Sequence, residues 1–266
     1  MQLPASLRRG LGIFLGVALA FLYVPLLLVV LNSFNSSRTF GFPPTGLTLE
    51  WWQKAANSSG ALSALGTSVL AGVCAMVIAL ILGTMAAFAV QRFRFFGRST
   101  ISFLVVLPIT LPGIVTGIAL NASFLSVGAQ FGIMTVIIGH ATFCIVIVFN
   151  NVQARLRRMG TSLEEASSDL GASGWQTFWM VTFPGIRGAL VAGALLAFAL
   201  SFDEIVVTTF TAGPDVQTLP LWIFANLFRP NQAPVVNVVA AVLTVVAIVP
   251  VWIAQRVSGD SVSSRV

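Results

Sequence analysis

The chain has 266 residues, of which 8% are Asp, Glu, Lys or Arg and 57% are apolar, against roughly 25% charge in an ordinary soluble domain. So little charge cannot cover a globule in water, which excludes a cytosolic protein, and the mean hydropathy of +0.95 agrees. The net charge of +6 does not mark a nucleic-acid binder, because the 14 basic residues are scattered among apolar runs and form no groove-sized patch.

The charges leave long neutral gaps: Gly10 to Ser37, Ala55 to Gln91, Ser99 to Ala154 and Pro230 to Gln255. About 20 apolar residues cross a bilayer core as a helix, so the 56-residue gap from Ser99 to Ala154 has room for two. The predicted spans, in chain order, are 11–31, 64–90, 100–126, 132–152, 188–210 and 234–255, which makes an all-α integral membrane protein of six transmembrane helices. The first follows Arg8 and Arg9 as a secretory signal would, but it is long for one and has no clear cleavage site before Asn32, so it reads as a retained helix. Lys and Arg accumulate on the cytoplasmic side. Eleven of the fourteen fall in one set of segments, at 8, 9, 92, 94, 98, 155, 157, 158, 187, 256 and 265, and only Arg38, Lys54 and Arg229 in the other. Both termini are therefore expected to be cytoplasmic.

The outer segment from Asn32 to Gly60 carries Trp51 and Trp52, which read as interfacial anchors. In the third span, Pro108, Pro112, Gly113 and Gly117 fit either a kinked helix lining a path or a small-xxx-small packing face, and both readings stand. Cys74 and Cys144 lie in apolar runs with no CxxC or histidine-rich set, which implies neither metal nor disulfide. The lone His140 in the fourth span reads as a helix–helix hydrogen bond rather than a proton relay. A second outer loop, from Thr211 to about Ala233, holds Pro214, Pro220, Trp222 and Pro230.

Between Val152 and Gly188 runs the longest polar stretch, and it is organised. Ser162-Leu-Glu-Glu165 is a capping-box pattern, after which Leu163, Ala166, Ser167 and Leu170 share one helical face. Gly171 stands where a helix ends in a left-handed residue. Ser173-Gly-Trp-Gln176 opens a second helix running to Phe183, where Pro184 is expected to impose a break. A capped helix-Gly-helix tablet is suited to docking into a cleft on another protein.

On these residues the sequence resembles the membrane permease subunits of binding-protein-dependent ABC importers. Their signature is Glu-Ala-Ala, three residues, Gly, nine residues and Ile-x-Leu-Pro; here it reads Glu165-Ala166-Ser167, Gly171 and Val181-Thr182-Phe183-Pro184. Ser167, Val181 and Phe183 depart from it by side chains of similar size class. Closer similarity is to the polyamine (spermidine/putrescine) permease group, in Phe42-Pro-Pro-Thr-Gly-Leu-Thr-Leu, Leu111-Pro-Gly-Ile-Val-Thr-Gly, Gly139-His-Ala-Thr-Phe-Cys144, Asp169-Leu-Gly-Ala and Leu196-Ala-Phe-Ala-Leu-Ser-Phe-Asp-Glu204. The resemblance implies a type I importer permease fold in a bacterial inner membrane. It implies as partners a cytoplasmic ATPase dimer, a second permease and an external solute-binding protein. Residues 1–60 would hold the first span and external loop, 61–255 the permease core with a coupling loop at 153–187, and 256–266 a cytoplasmic tail. Glu165, Ala166, Ser167, Gly171, Phe183 and Pro184 would meet the ATPase.

The chain has one lysine, Lys54, preceded by Gln53 rather than the glycine of a phosphate-cradling loop, so ATP hydrolysis is expected in a partner, with no cofactor and no catalysis here. Asp203 and Glu204 sit in the predicted fifth span, 15 residues beyond Gly188, or about 22 Å along a helix. Intramembrane carboxylates are costly and face a cavity or a partner. Together with Pro112 and Gly113 they are candidates for a cationic cargo's path, Asp203 turned toward it and Glu204 toward a neighbouring helix, or else for an internal ion pair or helix–helix hydrogen bond. An ion-coupled secondary transporter or channel using Asp203, Glu204 and His140 is the alternative function.

Overall fold

The computed structural model describes residues 4–229 and 231–259, with the backbone alone for 5, 6 and 247–259. Pro230, Arg265 and the tail beyond residue 259 lie outside the described residues. In chain order the helices are α1 (Ala5–Asn32), α2 (Glu50–Ala56), α3 (Ser59–Arg92), α4 (Arg98–Thr110), α5 (Gly113–Ser126), α6 (Ile133–Met159), α7 (Ser162–Asp169), α8 (Gly174–Thr177), a π-helical turn (Phe178–Thr182), α9 (Phe183–Phe202), α10 (Val206–Thr211), α11 (Leu219–Asn226) and α12 (Ala233–Gly259).

Among the described residues, four helices are long and apolar enough to span a membrane: Leu7–Asn32, Ser59–Arg92, Ile133–Met159 and Gly174–Phe202. The predicted third span is not one kinked helix, because α4 and α5 meet at 108° and count as a fifth span only if taken together. The cause is local. Leu111 is extended (φ −82°, ψ 146°), as a residue before proline must be, and Pro112, which has no N–H to lose, opens α5 as its N-cap. The predicted sixth span falls on α12, whose stretch Ala233–Val246 is a shorter apolar helix. The fourth is longer than predicted, since α6 runs on through the basic residues to Met159.

The chain divides into two compact units, Met1–Leu62 with Ile223–Ile248 and Ser63–Trp222 with Val249–Val266. In the first, Asn35 organises the segment after α1. Its Oδ1 accepts from the N–H of Ser37 and from both N–H and hydroxyl of Thr45, at 3.1–3.2 Å. Trp51 is turned inward against this knot rather than anchored at an interface: it is buried, and its indole N–H donates to the Asn35 carbonyl at 2.9 Å. Trp52 stacks on Phe34 with ring centroids 5.1 Å apart. On the outer side of α2, the Lys54 ammonium beside Glu50 holds that carboxyl below the usual carboxylate range.

The second unit is built around α6, which is buried over much more of its apolar stretch than α3 is. Lipid tails are as apolar as leucine, so membrane helices associate through close packing of small residues and hydrogen bonds. Both devices occur here. On α3 every fourth residue is small and buried: Ala71, Ala75, Ala79, Gly83 and Ala87. A Cβ on Gly83 would lie 2.8 Å from the Ile145 carbonyl of α6. On α9 the row is Gly193, Ala197 and Ser201, with Gly193 against Val148 and the Cys144 thiol 3.2 Å from the Ala197 carbonyl.

A methyl group at position 83 has no room, whereas one at Gly66 meets nothing within 4 Å. Gly83→Ala is expected to destabilise the detergent-solubilised protein by about 1–3 kcal/mol through overpacking, with Gly66→Ala neutral or mildly stabilising. Thermal unfolding of the two variants checks this, and equal melting temperatures would refute the close-packing account.

Candidate functional site

The tablet at residues 162–182 is held by a carboxylate that sequence spacing does not single out. Glu164 forms a two-point pair with Arg92 at the end of α3, Nε to Oε2 at 2.9 Å and Nη2 to Oε1 at 3.0 Å. Thr182 donates to the same Oε1 at 2.9 Å, and Arg92 also donates to the Gly160 carbonyl at 2.8 Å. The end of α3 and the π-helical turn thus converge on one half-buried carboxylate of α7, and the same arginine holds the corner between α6 and α7. Gly160 makes that corner at φ +67°, a left-handed backbone suited to glycine. Arg155 ties α6 to the start of α9 through the Gly185 carbonyl at 2.7 Å.

Within the tablet, α7 ends as expected. Gly171 is left-handed at φ +84°, with Ala172 N–H on the Ser167 carbonyl and Gly171 N–H on that of Ser168, the two bonds of a Schellman motif. The second capping box forms, Ser173 N–H to Gln176 Oε1 at 2.8 Å and Gln176 N–H to Ser173 Oγ at 3.4 Å. The first does not. Thr161 is the N-cap of α7 and makes no side-chain cap, because Glu164 is drawn to Arg92 and Glu165 points outward. Nor does Pro184 break the chain: α8, the π-helical turn and α9 run as one helix, Gly174–Phe202. A proline ring clashes with the carbonyl four residues back and donates no hydrogen bond, and the wider π turn just before it accommodates both.

Of the residues the family resemblance points to, Glu165 and Ala166 are exposed, and the Glu165 carboxylate has no hydrogen bond or ion pair among the described residues. Ser167, where the signature has alanine, bonds the Thr177 hydroxyl at 3.0 Å and so joins α7 to α8. A Cβ at Gly171 would meet nothing within 4 Å in this chain. Phe183 packs in an aromatic cluster with Phe178 and Trp179, at centroid distances of 6.3 and 5.0 Å, and Pro184 is exposed. The apolar face of the tablet is open, with Leu163 60%, Leu170 90% and Trp175 71% exposed.

Asp203 and Glu204 do not lie within a helix. Asp203 is the C-cap of α9, and the chain restarts as α10 at Val206 because the Glu204 carboxylate accepts the Val207 N–H at 2.8 Å. Asp203 is exposed and its carboxylate has no partner among the described residues; Glu204 is half-buried. The second broken helix meets this break. Gly113, at the start of α5, faces Val206 with a Cβ-to-Cβ distance of 3.6 Å if it bore a Cβ, and Gly117 faces the Phe210 ring. Asn121 donates to the Phe210 carbonyl at 2.7 Å. The helix starts at Gly113 and Val206 therefore lie side by side. Gly117 serves packing, as one of the two readings of that span had it. His140 is a buried helix–helix hydrogen bonder, Nδ1 to Ser201 Oγ at 2.7 Å and Nε2 to Thr208 Oγ1 at 2.8 Å.

Residues 76–260 match the family described as binding-protein-dependent transport system inner membrane component. The chain is 36% identical over 230 residues to the putrescine transport system permease protein PotI of Escherichia coli K12, covering 84% of this chain and 81% of the relative. It is 34% identical over 249 residues to the spermidine/putrescine transport system permease protein PotC of the same strain, covering 94% of each. In fold it is similar to a chain of a bacterial ABC transporter involved in the import of the acidic polysaccharide alginate, with TM-score 0.70 and 18% identity over 98% of this chain and 99% of that one.

Replacing Glu164 by alanine removes the charged hydrogen bonds that seat the tablet, each worth about 1.5–3 kcal/mol. Amide hydrogen exchange from 161 to 182 is expected to accelerate roughly tenfold to a hundredfold, with the central part of α6 unchanged. Unaltered protection of the tablet would mean that it is held by something else.

Proposed function

This chain belongs to the family of binding-protein-dependent transport system inner membrane components, a multi-pass permease of an ABC importer that works with separate subunits including an ATPase, and from that premise we propose what it moves and how. The cargo is a polyamine such as putrescine or spermidine, delivered by an external solute-binding protein and passed between this chain and a second permease. The membrane is a bacterial inner membrane, crossed six times with both termini cytoplasmic. Residues 1–60 supply the first span and external loop, 61–255 the core with the coupling loop at 153–187, and 256–266 the tail.

The observation that carries the coupling role is the tablet itself: rigidly seated on its inner side by Glu164, Arg92 and Thr182, yet open on its apolar outer side. A seat of this kind passes a push on the tablet directly to the ends of α3, α6 and α9. The outer side, with Glu165, Ala166 and the open flank of Gly171, enters a groove on the cytoplasmic ATPase dimer. ATP-driven motion of that groove tilts the helices between inward-open and outward-open arrangements.

A polyamine is a chain of ammonium groups that must leave water to cross. The uncommitted Asp203 carboxylate, at a helix break beside Glu204, offsets part of that desolvation. Discontinuous helices are a common way for transporters to present polar groups at membrane depth, and here Pro112 and Gly113 line the adjoining start of α5. The names of the relatives, putrescine and spermidine/putrescine permeases, support the same cargo. His140 is held by two hydroxyls, an arrangement that favours a structural role over the ion relay of a secondary transporter.

Gly171→Arg places a large side chain on the open flank of the tablet, in a left-handed conformation that arginine rarely adopts, and is expected to abolish co-purification of the ATPase; Glu165→Ala is expected to weaken it. Undiminished assembly in both would remove the coupling role. Asp203→Asn is expected to lower polyamine uptake about tenfold or more, in line with loss of a charged contact, with assembly intact, and unchanged uptake would remove Asp203 from the path.

A further inference from the structure

The α9–α10 break is spanned by a side chain from α6. Along α6, Thr135 and Gly139 contact α10: the Thr135 hydroxyl lies 2.6 Å from the Thr211 carbonyl, and a Cβ at Gly139 would lie 3.3 Å from Val207 and Thr211. Farther along, Cys144 and Val148 contact α9 through Ala197 and Gly193. His140 stands where the two sets meet. Its imidazole reaches Ser201 in the last turn of α9 and Thr208 in α10, and all three side chains are buried.

We propose that His140 is a positioning residue for the cargo path: a strut pinned to both sides of the break, which fixes the backbone that presents Asp203 and Glu204. The role rests on the path passing this break. The direction of the hydrogen bonds follows from proton counting. Thr208 has one hydroxyl proton, and it goes to the Glu204 carbonyl at 2.8 Å. Thr208 therefore accepts from the imidazole Nε2–H, which leaves Nδ1 as the acceptor for the Ser201 hydroxyl. The result is one directed chain, Ser201 to His140 to Thr208 to the Glu204 backbone, and the Glu204 carboxylate closes the far end by capping Val207. An unsupported break would let the backbone at 203–205 sample many arrangements; this strut holds it in one. A phenylalanine of similar volume could bond neither hydroxyl, and a leucine would strand both in the core.

The test keeps His140, since replacing it threatens folding, and varies the hydroxyls instead. Spin labels carried by noncanonical residues at the exposed positions Leu196 and Thr209 report the distance across the break in the full complex with its ATPase. Thr208→Ser keeps the hydroxyl and is expected to retain the narrow wild-type distribution. Thr208→Val and Ser201→Ala are expected to broaden it. Putrescine moved per ATP hydrolysed is expected to fall about tenfold in the broadened variants, the scale of one hydrogen bond, with ATPase activity retained, and Thr208→Ser is expected to behave as wild type. An unchanged distance in Thr208→Val and Ser201→Ala overturns the strut, as does a broadened distance with unchanged putrescine per ATP. A wild-type complex that moves no putrescine, while the distance still follows the hydroxyl, overturns the cargo assignment and supports the strut.

Discussion

Close approach of α3 and α9 to α6 is the constraint on which the second unit depends. Burying leucine among lipid tails gains almost nothing, so helices in a bilayer are held by dispersion at short range and by internal hydrogen bonds. Small residues at every fourth position on α3, from Ala71 to Ala87, and from Gly193 to Ser201 on α9 bring two backbones against α6. Only at that separation can Cys144 reach the Ala197 carbonyl and His140 reach Ser201. The interfaces are therefore rigid, and rigidity is what lets a push at one end of a helix arrive at the other.

A second consequence concerns the two breaks, at Pro112 and at residues 203–205. Backbone groups freed by a break in an apolar helix are best satisfied within the protein. At Pro112 one donor is absent from the outset. At residues 203–205 the Glu204 carboxylate and the Thr208 hydroxyl take up the slack, and α5 covers α10 through Gly117 and Asn121. With these groups satisfied, Asp203 is left with a free carboxylate. The same economy appears at the tablet, where Glu164 is consumed in seating it and Glu165 remains free.

The sequence made some of this legible and not the rest, for physical reasons. Local codes read correctly: Gly171 as a left-handed stop, Ser173 and Gln176 as a capping box, His140 as a helix–helix bonder. The class of protein followed from charge scarcity alone. Ser162 and Glu165 misled because a capping pattern is local, while the fate of α7 was decided by Arg92, 72 residues from Glu164. Trp51 misled likewise, since its partner carbonyl is on Asn35 and no spacing rule points there. The break at 203–205 was hidden because the apolar stretches on either side of Asp203 and Glu204 together have the length of one span, and hydropathy cannot tell one span from two helices with a gap. The small-residue row on α3, by contrast, was written in plain four-residue spacing and could have been found by looking for size rather than hydropathy.

The central claim is that the energy for transport enters through the tablet from a separate ATPase, and not through the membrane-embedded acids. Uptake of labelled putrescine into proteoliposomes holding this chain, a second permease and the ATPase, with the binding protein outside together with the putrescine and ATP inside, tests it most directly. The account predicts uptake that requires both binding protein and hydrolysable ATP and is indifferent to proton or sodium gradients. Uptake driven by an ion gradient with no ATP present would contradict it.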